Sequence, residues 1–271
     1  MRRLVLILLT TFAITASAFA QADSSVLARL DTMLVGYVDA LQRESLETKE
    51  KECDFLINSS NIPEIRQHIA LKLFDCYKES KVMGDEAVAI DIYDKWFATG
   101  KIPFRGEFEQ MQAELFANFN RSSLLGMDAP KVLLRKPCGG KVSIPEDGKP
   151  SILYFYDTSC GKCKVESQLL PGVLDKIGFK TNLYLVYAGQ NKKEWRRFRR
   201  EFKCANKNVR IMHLWDPEIE SDYLKLYGVI STPKLFFIEP EGTIVGRRLE
   251  IDSLMEVIDI FSLYLTSYGK E

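Results

Sequence analysis

Histidine is scarce in this chain: its 271 residues include only His68 and His213. The six cysteines are Cys53, Cys76, Cys138, Cys160, Cys163 and Cys204. Only Cys160 and Cys163 lie close together, so no second pair stands ready to complete a four-ligand zinc site. Attachment of haem would require histidine directly after Cys163, and Lys164 is there instead. Neither sign of charge is in excess, with 37 basic and 37 acidic residues. Nothing in that balance points to nucleic acid. There is no internal repeat and no low-complexity segment. Past residue 20 no apolar run is long enough to span a bilayer.

The first twenty residues differ from the rest. Met1-Arg2-Arg3 is a positive start, Leu4 to Thr15 is a short apolar stretch, and Ala18-Phe19-Ala20 offers small residues for cleavage. Residues 1–20 therefore read as a secretory signal peptide. The expected location is the periplasm, where disulfides form and persist. No cysteine follows the cleavage site, so a lipid anchor is not indicated.

Residues 21–125 read as all-helical. Val26, Leu27, Leu30, Leu34, Tyr37 and Leu41 follow helical spacing. A charged second helix begins at Ser45. Asn61 caps a third, with Pro63 in its first turn. A fourth runs from Asp85 or Glu86 through Phe97 and stops at Gly100. Phe108 to Phe119 suggests a fifth. No cluster in these helices suits catalysis, and packing or partner binding is their default role.

Gly126-Met-Asp-Ala-Pro130 marks a boundary. Val132 to Leu134 and Lys141 to Ile144 are expected strands joined across Gly139-Gly140. Ser151 to Tyr156, Asn182 to Tyr187, Val209 to Met212, Leu235 to Ile238 and Thr243 to Val245 complete the set. Helices are expected over Lys164 to Leu170, Lys192 to Lys203, Glu218 to Tyr227 and Ile251 to Tyr264. This α/β alternation, closed by a hairpin, predicts a mixed central sheet with helices on both faces.

The chemistry concentrates in Cys160-Gly161-Lys162-Cys163, between an apolar strand and a helix. A sulfur at a helix N-terminus is stabilised as thiolate by the macrodipole and the free N–H groups. A second sulfur within reach can close a disulfide and resolve a mixed one. Cys160 is the expected nucleophile and Cys163 the resolving thiol. A cation at Lys162 favours the thiolate. Downstream, Tyr227-Gly-Val-Ile-Ser-Thr-Pro233 leads into the last two strands.

The paired motifs resemble the thioredoxin superfamily. In that family a cis-proline faces the CxxC and a substrate segment docks beside it. The resemblance implies that Thr232 and Pro233, with Gly161 and Lys162, bind substrate, and that Cys160 and Cys163 form a redox-active disulfide. The Gly126-x-x-Ala-Pro130 segment and the following hairpin are similar to the TlpA/ResA-like branch. The likeness covers residues 126–271 and implies a thioredoxin-like fold for them. The helical region resembles the domain that precedes such thioredoxins in exported proteins of Bacteroides type. In the cytochrome-c-maturation members an acidic residue at the place of Glu166 takes part in proton chemistry, which assigns Glu166 a catalytic role here. Tyr154 departs from the family by standing where ordinary thioredoxins bury an aspartate. The peroxidase pattern is not met, because Asp157 rather than threonine stands three residues before Cys160.

The expected function is exported thiol–disulfide exchange with no metal or organic cofactor. The expected partners are exported protein thiols or disulfides and a membrane-bound redox partner. The alternative is a partner-binding protein whose helical domain captures an exported protein on a thioredoxin scaffold. Lys162 and Thr232 point to opposite redox directions. If Cys53 and Cys76 lie on adjacent antiparallel helices, they are offset by roughly 13 Å along the axis. That is beyond a disulfide's reach of about 7 Å, so both read as free thiols. The run Lys192, Lys193, Arg196, Arg197, Arg199, Arg200 and Lys203 is a basic helix, read first as a solvated face and otherwise as a surface for an acidic partner or lipid headgroups.

Overall fold

The computed structural model describes residues 24–268. The expected signal peptide at residues 1–20 lies outside them. The chain divides into two compact units, residues 1–114 and 115–271.

The first unit is helical. Helices α1 (Ser24–Ala40), α2 (Leu46–Asn58), α3 (Pro63–Glu79) and α4 (Glu86–Ile92) are followed by a π-helical turn over Tyr93–Phe97 and then α5 (Glu107–Asn120). Ser45 caps α2 by accepting from Thr48 N. Asn61 does not cap α3. Ile62 occupies that position without a side-chain bond, and Ser60 Oγ takes the Ile62 N–H at 3.2 Å. Cys53, Ile57, Leu73, Tyr77, Val88 and Ile92 fill the core. Inside it Lys49 meets Asp85 at 2.6 Å, both almost fully buried. Ser80 Oγ donates to the other Asp85 oxygen at 2.7 Å, and Lys49 also donates to Gln42 O at 3.1 Å. Those extra bonds compensate the desolvation that a buried pair must bear.

The division between units falls inside α5, ahead of the sequence boundary at Gly126. The reason is packing: the end of α5 belongs with the sheet. The Phe119 carbonyl lies where a Cβ on Gly228 would stand, and Asn120 Oδ1 accepts from Arg247 at 3.0 Å.

The second unit is built on seven strands: β1 (Val132–Arg135), β2 (Lys141–Ile144), β3 (Ser151–Tyr156), β4 (Thr181–Tyr187), β5 (Val209–Trp215), β6 (Lys234–Ile238) and β7 (Ile244–Gly246). Their order is β2-β1-β5-β4-β3-β6-β7. Strands β3, β4 and β5 run parallel, whereas β6 is antiparallel to β3 and β7 to β6. Between them lie α6 (Gly161–Leu174), α7 (Lys192–Glu201), α8 (Tyr223–Leu226) and α9 (Ile251–Tyr268).

Every residue of β3 and β4 is buried, so the side chains alternate between two cores. Ile152, Tyr154 and Tyr156 face one core with residues of α6, α7 and α9. Leu153 and Phe155 face the other with Tyr223, Tyr227 and Val229 from α8 and the loop after it. Covered on both faces, β3 is held rigidly, and its end delivers the loop that carries Cys160. Among the described residues no helix is long and apolar enough to cross a membrane, and no group of His, Cys, Asp or Glu is placed to hold a metal ion.

Candidate active site

Cys160 is the N-cap of α6, with extended backbone angles, and its sulfur takes the Cys163 N–H at 3.2 Å. The turn before it is set by Asp157, whose side chain accepts from Ser159 N at 2.7 Å and from Ser159 Oγ at 2.8 Å. Asp157 O also takes the Cys160 N–H at 3.2 Å. The Asp157-Thr158-Ser159 spacing is an Asx-turn pattern carried by the sequence itself.

All six cysteines are free thiols. Cys160 is half-buried, whereas Cys163 is 2 % exposed. Burial pushes the Cys160 thiol up. Hydrogen bonds from the Cys163 thiol and N–H, then from Thr232 and the Lys162 backbone, outweigh it and leave Cys160 below its ordinary value. Burial and the neighbouring Cys160 sulfur push Cys163 up to about 12. The two sulfurs are thereby differentiated into an outer thiolate former and an inner protonated thiol.

The Cys160 thiol donates to Thr232 O at 3.2 Å. The loop carrying Thr232 and Pro233 therefore lies against Cys160. The Thr232–Pro233 bond, expected to be cis, is cis, and Ile144–Pro145 is a second cis bond that the sequence did not reveal. Gly161 opens α6, and the space where its side chain would stand is empty within 4 Å. No bulk from the chain's own residues crowds that side.

Lys162 is exposed, and its ammonium is held by carboxylates. It lies 2.7 Å from Glu250 and 3.7 Å from Glu166. Its backbone N–H is among the hydrogen bonds that lower Cys160. Glu250 had no local signal at all; the sheet brings the start of α9 to the CxxC. Glu166 is 5 % exposed, and its Oε2 has no hydrogen-bond partner. Burial raises its pKa, opposed by Lys162. On α6 it shares a face with Cys163. Tyr154 lies below and donates to Cys163 O at 3.3 Å. Cys53, Cys76, Cys138 and Cys204 play no part in this arrangement.

Such a site can perform dithiol–disulfide exchange: an activated outer sulfur, a buried sulfur one helical turn on, and exposed backbone beside them. Residues 141–250 match the family model of the thioredoxin-like domain. A thioredoxin-like protein from Bacteroides caccae is similar over 86 % of this chain and 84 % of its own, at TM-score 0.67 and 16 % identity. That likeness extends to both the helical region and the sheet, and shows a shared fold. The thioredoxin domain of a thiol-disulfide oxidoreductase from Bacteroides vulgatus matches 51 % of this chain and 96 % of its own, at TM-score 0.43 and 22 % identity. A thiol:disulfide interchange protein from Bacteroides sp. matches 52 % of this chain and 91 % of its own, at TM-score 0.43 and 24 % identity. No curated protein matches the sequence.

Proposed function

We propose that this chain, which carries a thioredoxin-like domain preceded by a helical region, is a periplasmic thiol–disulfide oxidoreductase exported by residues 1–20. One observation carries the reading. Cys160 caps α6 beside the Cys163 N–H and lies against the carbonyl of Thr232, each at 3.2 Å.

In the reducing direction the Cys160 thiolate attacks one sulfur of a substrate disulfide. A mixed disulfide forms, and the first substrate sulfur leaves and takes a proton. Cys163 then loses its proton and attacks the Cys160 sulfur. The second substrate thiol leaves, and a Cys160–Cys163 disulfide remains. The substrate gains two electrons and two protons, and the chain gives them up. The reverse sequence oxidises a dithiol. Thr232 and Pro233 would align the substrate backbone, with open access over Gly161. Glu166, buried on the Cys163 face of α6, would accept the Cys163 proton. The substrates are exported proteins. A membrane-bound redox partner would restore the pair.

The test is reduction of hydroxyethyl disulfide by the dithiol form. The wild type should turn it over when a reductant is supplied, and Cys160→Ser should abolish turnover. Cys163→Ser should still make the first attack and accumulate the mixed disulfide. An active Cys160→Ser protein would sink the assignment. Equilibration against glutathione then fixes the direction. A potential near about −270 mV favours reduction, and one near about −120 mV favours oxidation.

A further inference from the structure

Apart from Arg197, which pairs with Glu194 and Glu201, helix α7 and the residues just after it carry cations that no ion pair among the described residues neutralises. Lys192, Lys193, Arg196, Arg200 and Lys203 are exposed, and none has an ion-pair partner among the described residues. Other surface cations of the same unit behave differently. Arg135 meets Glu218 at 2.9 Å, Lys162 meets Glu250 at 2.7 Å, and Arg210 meets Glu146 at 2.8 Å.

The helix gains from its own pattern only in part. Arg197 pairs with Glu194 at 3.7 Å and Glu201 at 3.3 Å, and Arg200 stands in the last turn, but Lys192, Lys193 and Arg196 have no such support. Lys192 and Lys193 sit at the N-terminal end, where the macrodipole disfavours cations. Lys192 and Arg196 repel four residues apart, as do Arg196 and Arg200. Asn191 caps the helix by accepting from Lys193 N at 3.0 Å, and Trp195 and Phe202 anchor it to the core. The cations are thus presented outward on a fixed frame.

The position of that frame matters. One side of α7, with Glu194, Arg197, Phe198 and Glu201, walls a groove of about 780 Å³ of mixed charge whose opposite wall is α6, including Cys163, Ser167 and Pro171. On its outer surface Lys193, Arg196, Arg197 and Arg200 line a second depression of about 590 Å³. Arg197 borders both, so the cationic face adjoins the groove that reaches Cys163.

We infer that α7 is the docking surface for an acidic segment of the protein with which the cysteine pair exchanges electrons. The inference rests on the oxidoreductase reading and names the chemistry of its partner. A protein surface fits better than a lipid surface. The apolar side chains of α7 face inward, so it presents no apolar edge to enter a bilayer. Complementary charge would speed encounter and orient the partner's cysteine towards Cys160.

The experiment uses the full chain and two disulfide-linked peptides of equal length, one Glu-rich and one Lys-rich around the same cysteine. Each rate is divided by that protein's own rate with neutral hydroxyethyl disulfide. The wild type should favour the Glu-rich peptide by about tenfold or more at low salt. The preference should collapse near 1 M salt, where the screening length is about 3 Å. In the double variant Arg196→Glu, Arg200→Glu it should disappear or reverse. Binding of a labelled Glu-rich peptide with serine in place of cysteine, read by fluorescence anisotropy, gives a measure independent of turnover. It should weaken in the variant. Equal handling of both peptides by the wild type, or a preference that survives in the variant, overturns the inference. So does binding to anionic lipid vesicles that depends on Arg196 and Arg200 while neither peptide is preferred. Failure with hydroxyethyl disulfide itself, with the acidic peptide still bound, would count against the oxidoreductase reading and leave the docking surface standing.

Discussion

Cys160 and Cys163 are chemically the same residue, and their surroundings drive them apart. Cys160 is half-buried at a helix start and collects hydrogen bonds that favour its thiolate, whereas burial and its neighbour lift Cys163 to about 12. Alkylation of the reduced protein should therefore rise with pH with its midpoint below about 8.5, the ordinary cysteine value. Cys163 should stay unmodified across that range, as peptide mapping would show. A midpoint above the ordinary value, or first modification at Cys163, would contradict the assignment of roles. His213 offers a second residue-scale prediction, in stability. Burial, aided by Arg199 and Lys203, pushes it down to about 4. It packs between Phe198 and Phe202, and its Nδ1 has no partner. An unfolded chain takes up that proton near pH 6.5, and the folded chain resists it. Stability from this group is present above about pH 6.5 and is lost as pH falls towards 4, by up to about 3 kcal/mol. Urea denaturation of His213→Asn should show a flatter decline over that window than the wild type, whatever its stability at pH 8. Equal slopes would mean that His213 is not the group responsible. These environments were only half legible in the sequence. The CxxC spacing announces two unlike sulfurs. The tether of Lys162 to Glu250 and the inward turn of His213 depend on residues far away in the chain.

At the scale of elements, strands with unbroken apolar runs were legible nearly to the residue. Ser151–Tyr156 needs no more than its own composition, because both faces are buried and no polar position interrupts it. The expected helix from Glu218 to Tyr227 is the main departure, since only Tyr223–Leu226 is helical. Asp216 is the reason. Its carboxylate accepts from Glu220 N at 3.1 Å and Ser221 N at 2.8 Å, and from Ser221 Oγ at 2.6 Å. Local side-chain bonds compete there with the helical ladder, and Ile219 is drawn to φ 51°. The strand read as ending at Met212 continues to Trp215, because Trp215 is buried and donates to Gly189 O at 2.7 Å. Gly228, just after α8, has φ +60°, and an added Cβ would stand 2.4 Å from Phe119 O. The contact is with backbone, so it has little room to yield. Gly228→Ala should cost more than about 1 kcal/mol, from the left-handed conformation and the clash together. Gly172→Ala is the control, since it lies in α6 with open space around its Cβ position. Thermal melts of the two variants should separate clearly. Equal melting points would show that the α5 end does not press on the loop that leads to Thr232.

For the whole molecule, the sequence placed every residue of the candidate site after Gly126 and a run of helices with their own apolar stripes before it. Composition draws the boundary there because the Gly126-Met-Asp-Ala-Pro130 segment breaks helical periodicity. The compact unit nevertheless begins at Leu115, inside a helix whose own pattern gives no sign of a division. Arg247, which is 2 % exposed, donates to Asn120 Oδ1 and ties the end of that helix to the sheet. Neither residue signals the other across so long a stretch of chain. Two fragments follow from this. One starting at Leu115 keeps the Asn120 acceptor and the Phe119 carbonyl. One starting at Gly126 loses both, and a bond from a buried charged group is worth about 1.5–3 kcal/mol. The longer fragment should unfold at the higher urea concentration and should reduce hydroxyethyl disulfide in a Cys160-dependent way. The shorter should be less stable by at least that one bond. Asn120→Ala in the longer fragment should move it most of the way to the shorter one. If the two fragments denature together, the end of α5 adds nothing to the sheet and the division belongs at Gly126. If both fold, as circular dichroism would show, but neither exchanges disulfides, the helical unit supplies part of the active site and the two halves do not divide the labour as proposed.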